Sequence, residues 1–377
     1  MATMGSTQRV DGRPERWIAL LGRRDTPTDG VEDYCTFLAA GLEKRGVVLE
    51  KARVQWPEMG WLNALLQLRR DCSGWSGRWV LVQYTAMAWS NYGFPFGILC
   101  VLRVLRGRGV RCAVVFHEAF RQGGSRWIDR IRGACQDWVV RRLHRAATKS
   151  IFPDAPGTIR WLAAADPKAA YVPIGANIPE RPIVRAASNG GPKTVAVFCL
   201  SDPPNRSREV AEITDAVREV TASGIKTRIV FVGRGTAEAG EEIAAVSNSI
   251  PVEVSNLGIR TPEEISLVLS RSDAMLCVRG PLYSRRGSAI AAIACGLPIV
   301  AYGGAAEGTM MEEAGVRLVP YPDRRELGLE LARVLSNRDV WQELHDRNVL
   351  AHQKYFSWNV IASGMLRALS AAEECGR

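Results

Sequence analysis

The sequence predicts an α/β protein with two doubly wound domains, each a parallel sheet covered by helices, facing each other across a cleft. Three observations carry this prediction. Short apolar runs alternate with amphipathic helical patterns, which is typical of parallel sheets. The alternation stops once, in a segment rich in Pro, Gly and Ser, and then restarts. A chain of 377 residues also exceeds the size of one ordinary core.

The first half carries six predicted strands separated by helical patterns. The strands are Trp17–Leu21, Val47–Val54, Trp79–Tyr84, Cys112–Phe116, Ser150–Phe152 and Ala170–Pro173. The helices are Val31–Arg45, Gly60–Arg70, Phe96–Arg106, Ser125–Arg145 and Pro156–Ala163. We therefore expect residues 1–180 to form the first domain and residues 181–193 to form a linker.

The second half repeats this organisation. Its predicted strands are Thr194–Leu200, Thr227–Val232, Val252–Val254, Ala274–Val278, a buried strand that ends near Ala301, and Val316–Pro320. Its predicted helices are Arg208–Ala222, Pro262–Leu269, one that begins at Gly287, and amphipathic helices from Arg324 on. We expect residues 194–355 to form the second domain, and residues 356–377 to form a helix that crosses back to the first.

Composition narrows the class of protein. The chain is 47% apolar and 23% charged, as expected of a folded protein, and it lacks an apolar run of about 18 residues. Its first residues lack the apolar centre of a signal peptide. Nine cysteines include no C-x-x-C pair, which favours reduced core cysteines over a disulfide framework or a zinc site. These features predict a cytoplasmic location.

Positive charge is concentrated in the first half. Residues 1–190 hold 28 Lys or Arg against 16 Asp or Glu, and nine of the eleven tryptophans. On the predicted helix Ser125–Arg145, positions 127, 131, 138 and 142 share one stripe flanked by arginines. Such a helix predicts peripheral contact with an anionic membrane at the inner face, and no nucleic-acid partner. The alternative is that the stripe packs on the sheet and the arginines are solvated.

A loop in the second half predicts a binding site for a diphosphate. After the strand Ala274–Val278 the chain carries Arg285 and Arg286, and then begins a helix at Gly287 and Ser288. The first amides of a helix have no partner within the helix, and the helix dipole is positive there. Two arginines beside such an end can hold a diphosphate without a metal.

Three other places in the sequence are candidate ligand contacts, and each also has a simpler structural explanation. His117 ends a strand at the sheet edge where such folds bind ligands, although it could be a packing histidine. Gly30 follows the first strand and would let a ligand approach, although Asp29 could merely cap the next helix. Arg206 and Arg208 begin a helix, where a bound anion would offset their repulsion from the dipole, although exposed loop arginines are common.

In this order, the motifs resemble those of family-4 retaining glycosyltransferases, which have the GT-B fold of two Rossmann-like domains. The most specific match is Ile293-Ala-Cys-Gly-Leu-Pro-Ile-Val-Ala301. The others are Gly30-Val31-Glu32, His117, Tyr171-Val-Pro-Ile-Gly-Ala-Asn177, Leu257-Gly-Ile-Arg-Thr-Pro-Glu-Glu264 and Phe356-Ser-Trp358. The resemblance covers nearly the whole chain.

The resemblance implies an enzyme that moves a hexosyl unit from a nucleotide-diphosphate sugar to a hydroxyl acceptor, such as a glycan, a lipid-linked acceptor or a small molecule. It implies retention of anomeric configuration and needs no metal or other cofactor. The expected catalytic residues are His117, which positions the donor sugar, and the diphosphate-binding Arg206, Arg208 and Arg286. The expected donor-binding residues are Gly30 at the sugar, Ile259 and Arg260 at the base, and Arg285, Gly287 and Ser288 at the diphosphate.

One departure from the family leaves the activity open. The family carries two glutamates eight positions apart before the most specific motif, and here these places hold Tyr283 and Ala291. The segment Ser284-Arg-Arg-Gly-Ser288 looks like a variant found in a subset of such enzymes. A GT-B relative that only binds nucleotide sugars or scaffolds a partner, or a GT-B sugar-nucleotide epimerase, is therefore the alternative.

Overall fold

A computed structural model describes residues 14–119, 126–154, 157–163, 165–181, 191–304 and 310–374. The chain divides into two compact units. The first takes in the described residues up to Val172 and those from Ile361 onward, and the second runs from Pro173 to Val360. The last helix, α12 (Trp358–Glu374), begins in the second unit and continues in the first.

The first unit is a six-stranded parallel sheet with helices between the strands. Its strands are β1 (Glu15–Leu21), β2 (Val47–Arg53), β3 (Trp79–Tyr84), β4 (Arg111–Phe116), β5 (Lys149–Phe152) and β6 (Ala169–Tyr171). Its helices are α1 (Gly30–Glu43), α2 (Trp56–Asp71), α3 (Gly97–Arg106) and α4 (Trp127–Ala146). The strand order β2-β1-β3-β4-β5-β6 places a topological switch between β1 and β3.

The second unit repeats the architecture. Its strands are β7 (Lys193–Phe198), β8 (Thr227–Val232), β9 (Glu253–Asn256), β10 (Ala274–Cys277), β11 (Ile299–Tyr302) and β12 (Val316–Val319). Its helices are α5 (Asn205–Ala222), α6 (Gly240–Ser249), α7 (Pro262–Ser270), α8 (Gly287–Ala294), α9 (Met310–Glu313), α10 (Arg324–Ser336) and α11 (Arg338–Ala351). The order β12-β11-β10-β7-β8-β9 places the switch between β7 and β10.

Each unit has its own apolar core, built from buried strand residues and the inner faces of the helices. Phe116 and Phe152 stack at the centre of the first core, 4.7 Å apart, and Phe231 is fully buried in the second. Because the strands are buried on both faces, they carry continuous rather than alternating apolar runs. The predicted pair of parallel α/β sheets is confirmed.

One predicted helix does not form, two helices, α6 and α9, were not predicted, and the start of another helix was misplaced. No helix forms in the described part of the predicted helix Pro156–Ala163, where Gly157 has a positive φ of 94° and the chain makes turns. Helix α6 was not predicted, because its apolar positions are few and Gly, Ser and Asn surround them. Helix α2 begins four residues before the predicted start, and Gly60 interrupts it with a φ of 77°.

Candidate functional site

In the second unit, the carboxyl edge of the sheet opens at the switch between β7 and β10. The helices that follow these strands, α5 and α8, lie on opposite faces, because right-handed crossovers lead away from the switch in opposite directions. Cys199, directly after β7, has a φ of 66° and is the one non-glycine residue with positive φ in the described chain. Such backbone outliers concentrate at functional sites.

A chain of hydrogen bonds joins the two loops at this switch. Arg206 Nε donates to the carbonyl of Ser201 (3.4 Å), and Arg279 Nε donates to Ser201 Oγ (3.3 Å). Arg286 Nη2 then donates to the carbonyl of Arg279 (3.1 Å). The structure therefore brings Arg206 and Arg286 into one arginine network.

Arg279 and Ser201 were not singled out from the sequence. Arg279 comes directly after the buried run of β10, and that position at the carboxyl edge was the available signal. Ser201 offered none, because it lies in a loop rich in polar residues. Glu209 also belongs here: it is 1% exposed and accepts the backbone N–H of Ser201 (2.8 Å), which holds the loop against α5.

Helix α8 begins at Gly287, with Arg286 at its N-cap and no side chain capping it. The Oγ of Ser288 is buried and has no hydrogen-bond partner among the described residues. The guanidinium groups of Arg285 and Arg286 lie 5.4 and 5.9 Å from the ring centre of Tyr283. An uncapped helix start, an unpartnered hydroxyl and two arginines make a site suited to an anion.

Arg208 has a different setting. It donates to the hydroxyl of Tyr321, and its guanidinium lies 3.7 Å from Glu209 and 3.8 Å from Glu212. Burial raises the pKa of Glu212, while Arg208 and Arg324 lower it. Arg208 is thus tied to carboxylates and to a tyrosine beyond β12, and its ion pair with Glu209 links it to the loop that carries Ser201.

Ile259 and Arg260 lie between β9 and α7. Arg260 is exposed, and its Nη1 donates to the carbonyl of Ile259 (3.3 Å). Thr261 caps α7 in a capping box with Glu264, so the turn that carries both residues is fixed. β9 is two strands from β7, about 10 Å across the sheet at ordinary strand spacing.

In the first unit, His117 follows β4 at the carboxyl edge. Its Nε2 lies 2.8 Å from Oε1 of Gln83, whose own Nε2 donates to the carbonyl of Leu81 (3.1 Å). The ring also meets Tyr34 edge-on at 4.9 Å. Burial lowers the pKa of His117 to about 4, although the charge of Asp29 acts the other way. His117 is therefore a neutral imidazole, and Gln83 is a partner that the sequence did not reveal.

Gly30 is the first residue of α1 and is exposed. Asp29 accepts hydrogen bonds from the backbone of Val31 (3.1 Å) and Glu32 (3.0 Å), so it does cap the helix. Arg53 lies 3.0 Å from Glu32 and 3.9 Å from Asp29. The simpler interpretation of this turn, a capped helix start, is present in the structure, and Gly30 lies exposed at that start.

The aromatic stripe on α4 does not pack on the sheet. Trp127, Ile131 and Trp138 are 71%, 47% and 46% exposed, whereas Val139 and Leu143 face the core. Arg142 lies over the ring of Trp138 at 5.2 Å. The alternative in which this stripe packs on the sheet is therefore wrong.

None of the helices in the described segments has the length and apolarity that crossing a bilayer requires.

Within the described residues, no group of three or more His, Cys, Asp or Glu lies close enough to hold a metal ion.

The eight described cysteines are all free thiols. Most are buried, and burial raises the pKa of Cys35 to about 12 and of Cys295 to about 11. The thiols of Cys35 and Cys295 are therefore protonated and unreactive at neutral pH.

No protein-family model and no curated protein matches the chain. Solved structures do match it over nearly its whole length. HepE of Anabaena, solved with UDP and glucose, has a TM-score of 0.63 and 13% identity, covering 95% of this chain and all of that one. The α,α-trehalose 6-phosphate synthase of Burkholderia multivorans has a TM-score of 0.65 and 12% identity, covering 97% and 100%.

A third match is a Listeria monocytogenes protein assigned as a UDP-N-acetylglucosamine 2-epimerase. It has a TM-score of 0.62 and 13% identity, and the match covers 96% of this chain and 97% of that one. At these identities the likeness concerns the fold. Together with the two six-stranded parallel sheets, it shows that this chain has the GT-B fold.

Proposed function

We propose that this protein is a retaining glycosyltransferase that moves a hexosyl unit from a nucleotide-diphosphate sugar to a hydroxyl acceptor. The observation that carries the proposal is the hydrogen-bonded arginine network beside the uncapped start of α8, at the topological switch of the second sheet. Proteins of this fold include one solved with UDP and glucose, which supports a nucleotide-sugar donor.

The chemistry requires stabilisation of the negative charge on the departing diphosphate. Arg279, Arg285 and Arg286 supply fixed positive charge, and the first amides of α8 with the hydroxyl of Ser288 supply neutral donors. Arg206 holds the loop that carries Ser201, and Arg208 adds charge at the edge of the site. This arrangement performs the task that a metal ion performs elsewhere, so the proposed reaction needs none.

The sugar and the base have separate proposed contacts. Ile259 and Arg260 meet the base at the end of β9, and Gly30 leaves space for the sugar after β1. Because Gln83 fixes the proton of His117 on Nε2, the other ring nitrogen, Nδ1, is left as an acceptor. His117 therefore accepts a hydrogen bond from a sugar hydroxyl and does not act as a proton donor.

The proposal is tested by measuring nucleotide-diphosphate binding by calorimetry and sugar transfer in the presence of EDTA. Arg286→Ala and Arg279→Ala should each weaken binding by roughly 1.5–3 kcal/mol, the range for charge-assisted hydrogen bonds. The matched control is Arg218→Ala, which removes an exposed arginine of the same unit, paired with Asp215. Affinities equal to that of the control would remove this network from the site.

A second candidate function is epimerisation of the sugar nucleotide. It is favoured by the likeness of the fold to the Listeria monocytogenes protein assigned as a UDP-N-acetylglucosamine 2-epimerase. Ala291 is buried inside α8 and cannot supply the family's ribose-binding carboxylate, which supports a non-catalytic relative. Tyr283, at the place of the other glutamate, is 40% exposed and lies beside Arg285 and Arg286. Incubation with sugar nucleotides and no acceptor separates the two functions, because only an epimerase returns an isomeric sugar nucleotide. Binding without either product would indicate a non-catalytic relative.

We also propose peripheral attachment to an anionic membrane through α4. The exposed Trp127, Ile131 and Trp138 would enter the headgroup region, and Arg126, Arg130, Arg141, Arg142 and Arg145 lie exposed along the same helix. The proposal implies a cytoplasmic protein at the inner membrane face.

A further inference from the structure

An aromatic pocket of about 360 Å³ lies at the carboxyl edge of the first sheet. It is formed where α2 begins after β2 and where the chain leaves β3, and its main walls are Trp56, Trp61, Trp89, Tyr92 and Phe94. The volume falls in the range of pockets that bind small molecules, roughly 300–1,000 Å³. Neither the proposed donor site nor the membrane stripe accounts for it.

The aromatic rings that wall the pocket are held in place. The indole N–H of Trp56 donates to the carbonyl of Ala88 (3.1 Å), and that of Trp89 donates to the carbonyl of Gln83 (2.8 Å). Trp61 stacks on Trp56 at 5.1 Å with an angle of 7° between the rings. Because the two deepest indoles have already used their only donors, these rings offer a ligand apolar surface and no hydrogen bonds.

One cation at the rim has no acidic partner. Arg23, which follows β1, donates through Nη1 to Oδ1 of Asn91 (3.0 Å), a residue that lines the pocket. No carboxylate of the described residues pairs with Arg23, whereas its neighbour Arg24 lies 3.4 Å from Glu32. The pocket therefore combines aromatic walls with a positive charge at its edge.

The pocket also connects to His117 through a single residue. The backbone carbonyl of Gln83 holds Trp89, and its side-chain oxygen holds Nε2 of His117 (2.8 Å). Tyr92, at the outer wall, is 76% exposed, and Leu62 of the adjoining α2 is 73% exposed. Exposed apolar side chains thus continue outward from the pocket. The inner end of the pocket lies next to His117, the proposed contact of the sugar.

We propose that this pocket binds the apolar chain of the acceptor, and that the acceptor is a membrane lipid with an anionic headgroup. The rings receive the first part of the hydrocarbon chain, Arg23 pairs with the headgroup phosphate, and the acceptor hydroxyl lies toward His117. This assignment of the acceptor class rests on the proposed function. The pocket's affinity for an anionic amphiphile does not depend on the donor site.

The test uses n-decyl phosphate below its micelle concentration, with decanol and inorganic phosphate as comparison ligands, and calorimetry as the readout. The wild-type protein should bind decyl phosphate more tightly than decanol, and inorganic phosphate should not compete. Trp61→Ala and Tyr92→Ala should weaken decyl phosphate binding by about tenfold, as truncation of a central aromatic contact does. Arg23→Gln should remove the preference for decyl phosphate over decanol.

Two variants serve as matched controls. Trp75→Ala removes a half-buried tryptophan of the same unit outside the pocket, and Arg24→Gln removes the neighbouring arginine. Both should bind decyl phosphate like the wild type. If Trp61→Ala lowers the melting temperature, Tyr92→Ala still tests the pocket, because Tyr92 is exposed and its truncation should not destabilise the fold. Equal affinity in all variants, or no binding by the wild type, overturns the proposal.

Failure of the proposed function gives a different result. Arg286→Ala should bind decyl phosphate normally, since the residue belongs to the second unit. A wild-type protein that binds decyl phosphate with the expected variant pattern but transfers no sugar would keep the lipid pocket and reject the transferase.

Discussion

At His117, the hydrogen-bond pattern decides which ring nitrogen faces a ligand. The amide nitrogen of Gln83 donates to the carbonyl of Leu81, so the atom of Gln83 that faces His117 is Oε1, which can only accept a hydrogen bond. The imidazole must therefore carry its proton on Nε2, and the low pKa of about 4 keeps the ring neutral. A sequence reveals that a histidine ends a strand, but its tautomer depends on a residue 34 positions away.

His117 should affect turnover more than nucleotide binding. His117→Ala removes the proposed acceptor for a sugar hydroxyl, so kcat should fall about five- to thirtyfold, because removal of a hydrogen bond made to the sugar costs about 1–2 kcal/mol. The affinity for the free nucleotide diphosphate should stay unchanged in calorimetry. If folded His117→Ala protein turns over like the wild type, His117 is only a packing residue.

The same residue should make stability depend on pH. An unfolded histidine binds a proton near pH 6.5, and folded His117 binds one only near pH 4. Neutral His117 therefore contributes to the free energy of unfolding above about pH 6.5. This contribution is lost as the pH falls toward 4, because the unfolded state then binds more protons than the folded state. In the His117→Gln variant, the free energy of unfolding should fall by less over this pH range, by on the order of 1–3 kcal/mol, as measured by urea unfolding. Trp75→Ala, a change in the same unit that removes no titratable group, should retain the slope of the wild type.

At the scale of elements, the arginine loop before α8 shows what local sequence can predict. Arg285, Arg286 and the helix start at Gly287 are adjacent in the chain, so their proximity follows from one strand and one helix boundary. The bond from Arg279 to Ser201 joins residues 78 positions apart and depends on the pairing of β7 with β10. Arg208 illustrates the same limit, since its neighbour Tyr321 comes from beyond β12.

Glycine 97, at the start of α3, should be intolerant of any side chain. A Cβ there would lie 2.2 Å from the ring of Trp61, so the ring that stacks on Trp56 would have to move. Gly97→Ala should lower the free energy of unfolding by about 1–3 kcal/mol, the usual cost of overpacking. The measurement is urea unfolding followed by tryptophan fluorescence.

Gly74→Ala is the matched control, because an added Cβ at Gly74 meets no atom within 4 Å and its φ is not positive. Its stability should stay within about 0.5 kcal/mol of the wild type. Equal stability in the two variants would show that Trp61 is free to move, and the pocket wall would then not be fixed.

At the scale of the whole molecule, charge and aromatic residues divide between the two halves of the chain. Residues 1–190 carry a net charge of +12 and the remainder −2. The sequence located this asymmetry correctly, but it could not decide whether the aromatic stripe of α4 faced the core. Helical periodicity places Trp127, Ile131 and Trp138 on one face, and only tertiary packing shows that Val139 and Leu143 cover the sheet instead.

The exposed stripe should make the protein bind anionic vesicles in a salt-sensitive manner. In co-sedimentation with phosphatidylglycerol vesicles, the wild type should pellet at low salt and be released at high salt, because arginine attraction is screened within a Debye length. Each arginine near the surface is worth about 1 kcal/mol, so Arg130→Gln with Arg142→Gln should weaken partitioning roughly thirtyfold. Trp127→Ala should weaken it at both salt concentrations, since that contact is apolar.

The control for these changes is Arg218→Gln with Arg333→Gln, which removes the same charge from exposed sites in the second unit. A general effect of net charge would weaken vesicle binding equally in both double variants, whereas attachment through α4 predicts a loss only in the first. Neutral phosphatidylcholine vesicles should pellet little protein in any case, because the interfacial area of one short aromatic stripe supplies too little affinity without the arginines. Absence of pelleting with anionic vesicles at low salt would leave the stripe without a membrane role, and the aromatic face of α4 would then call for a protein partner.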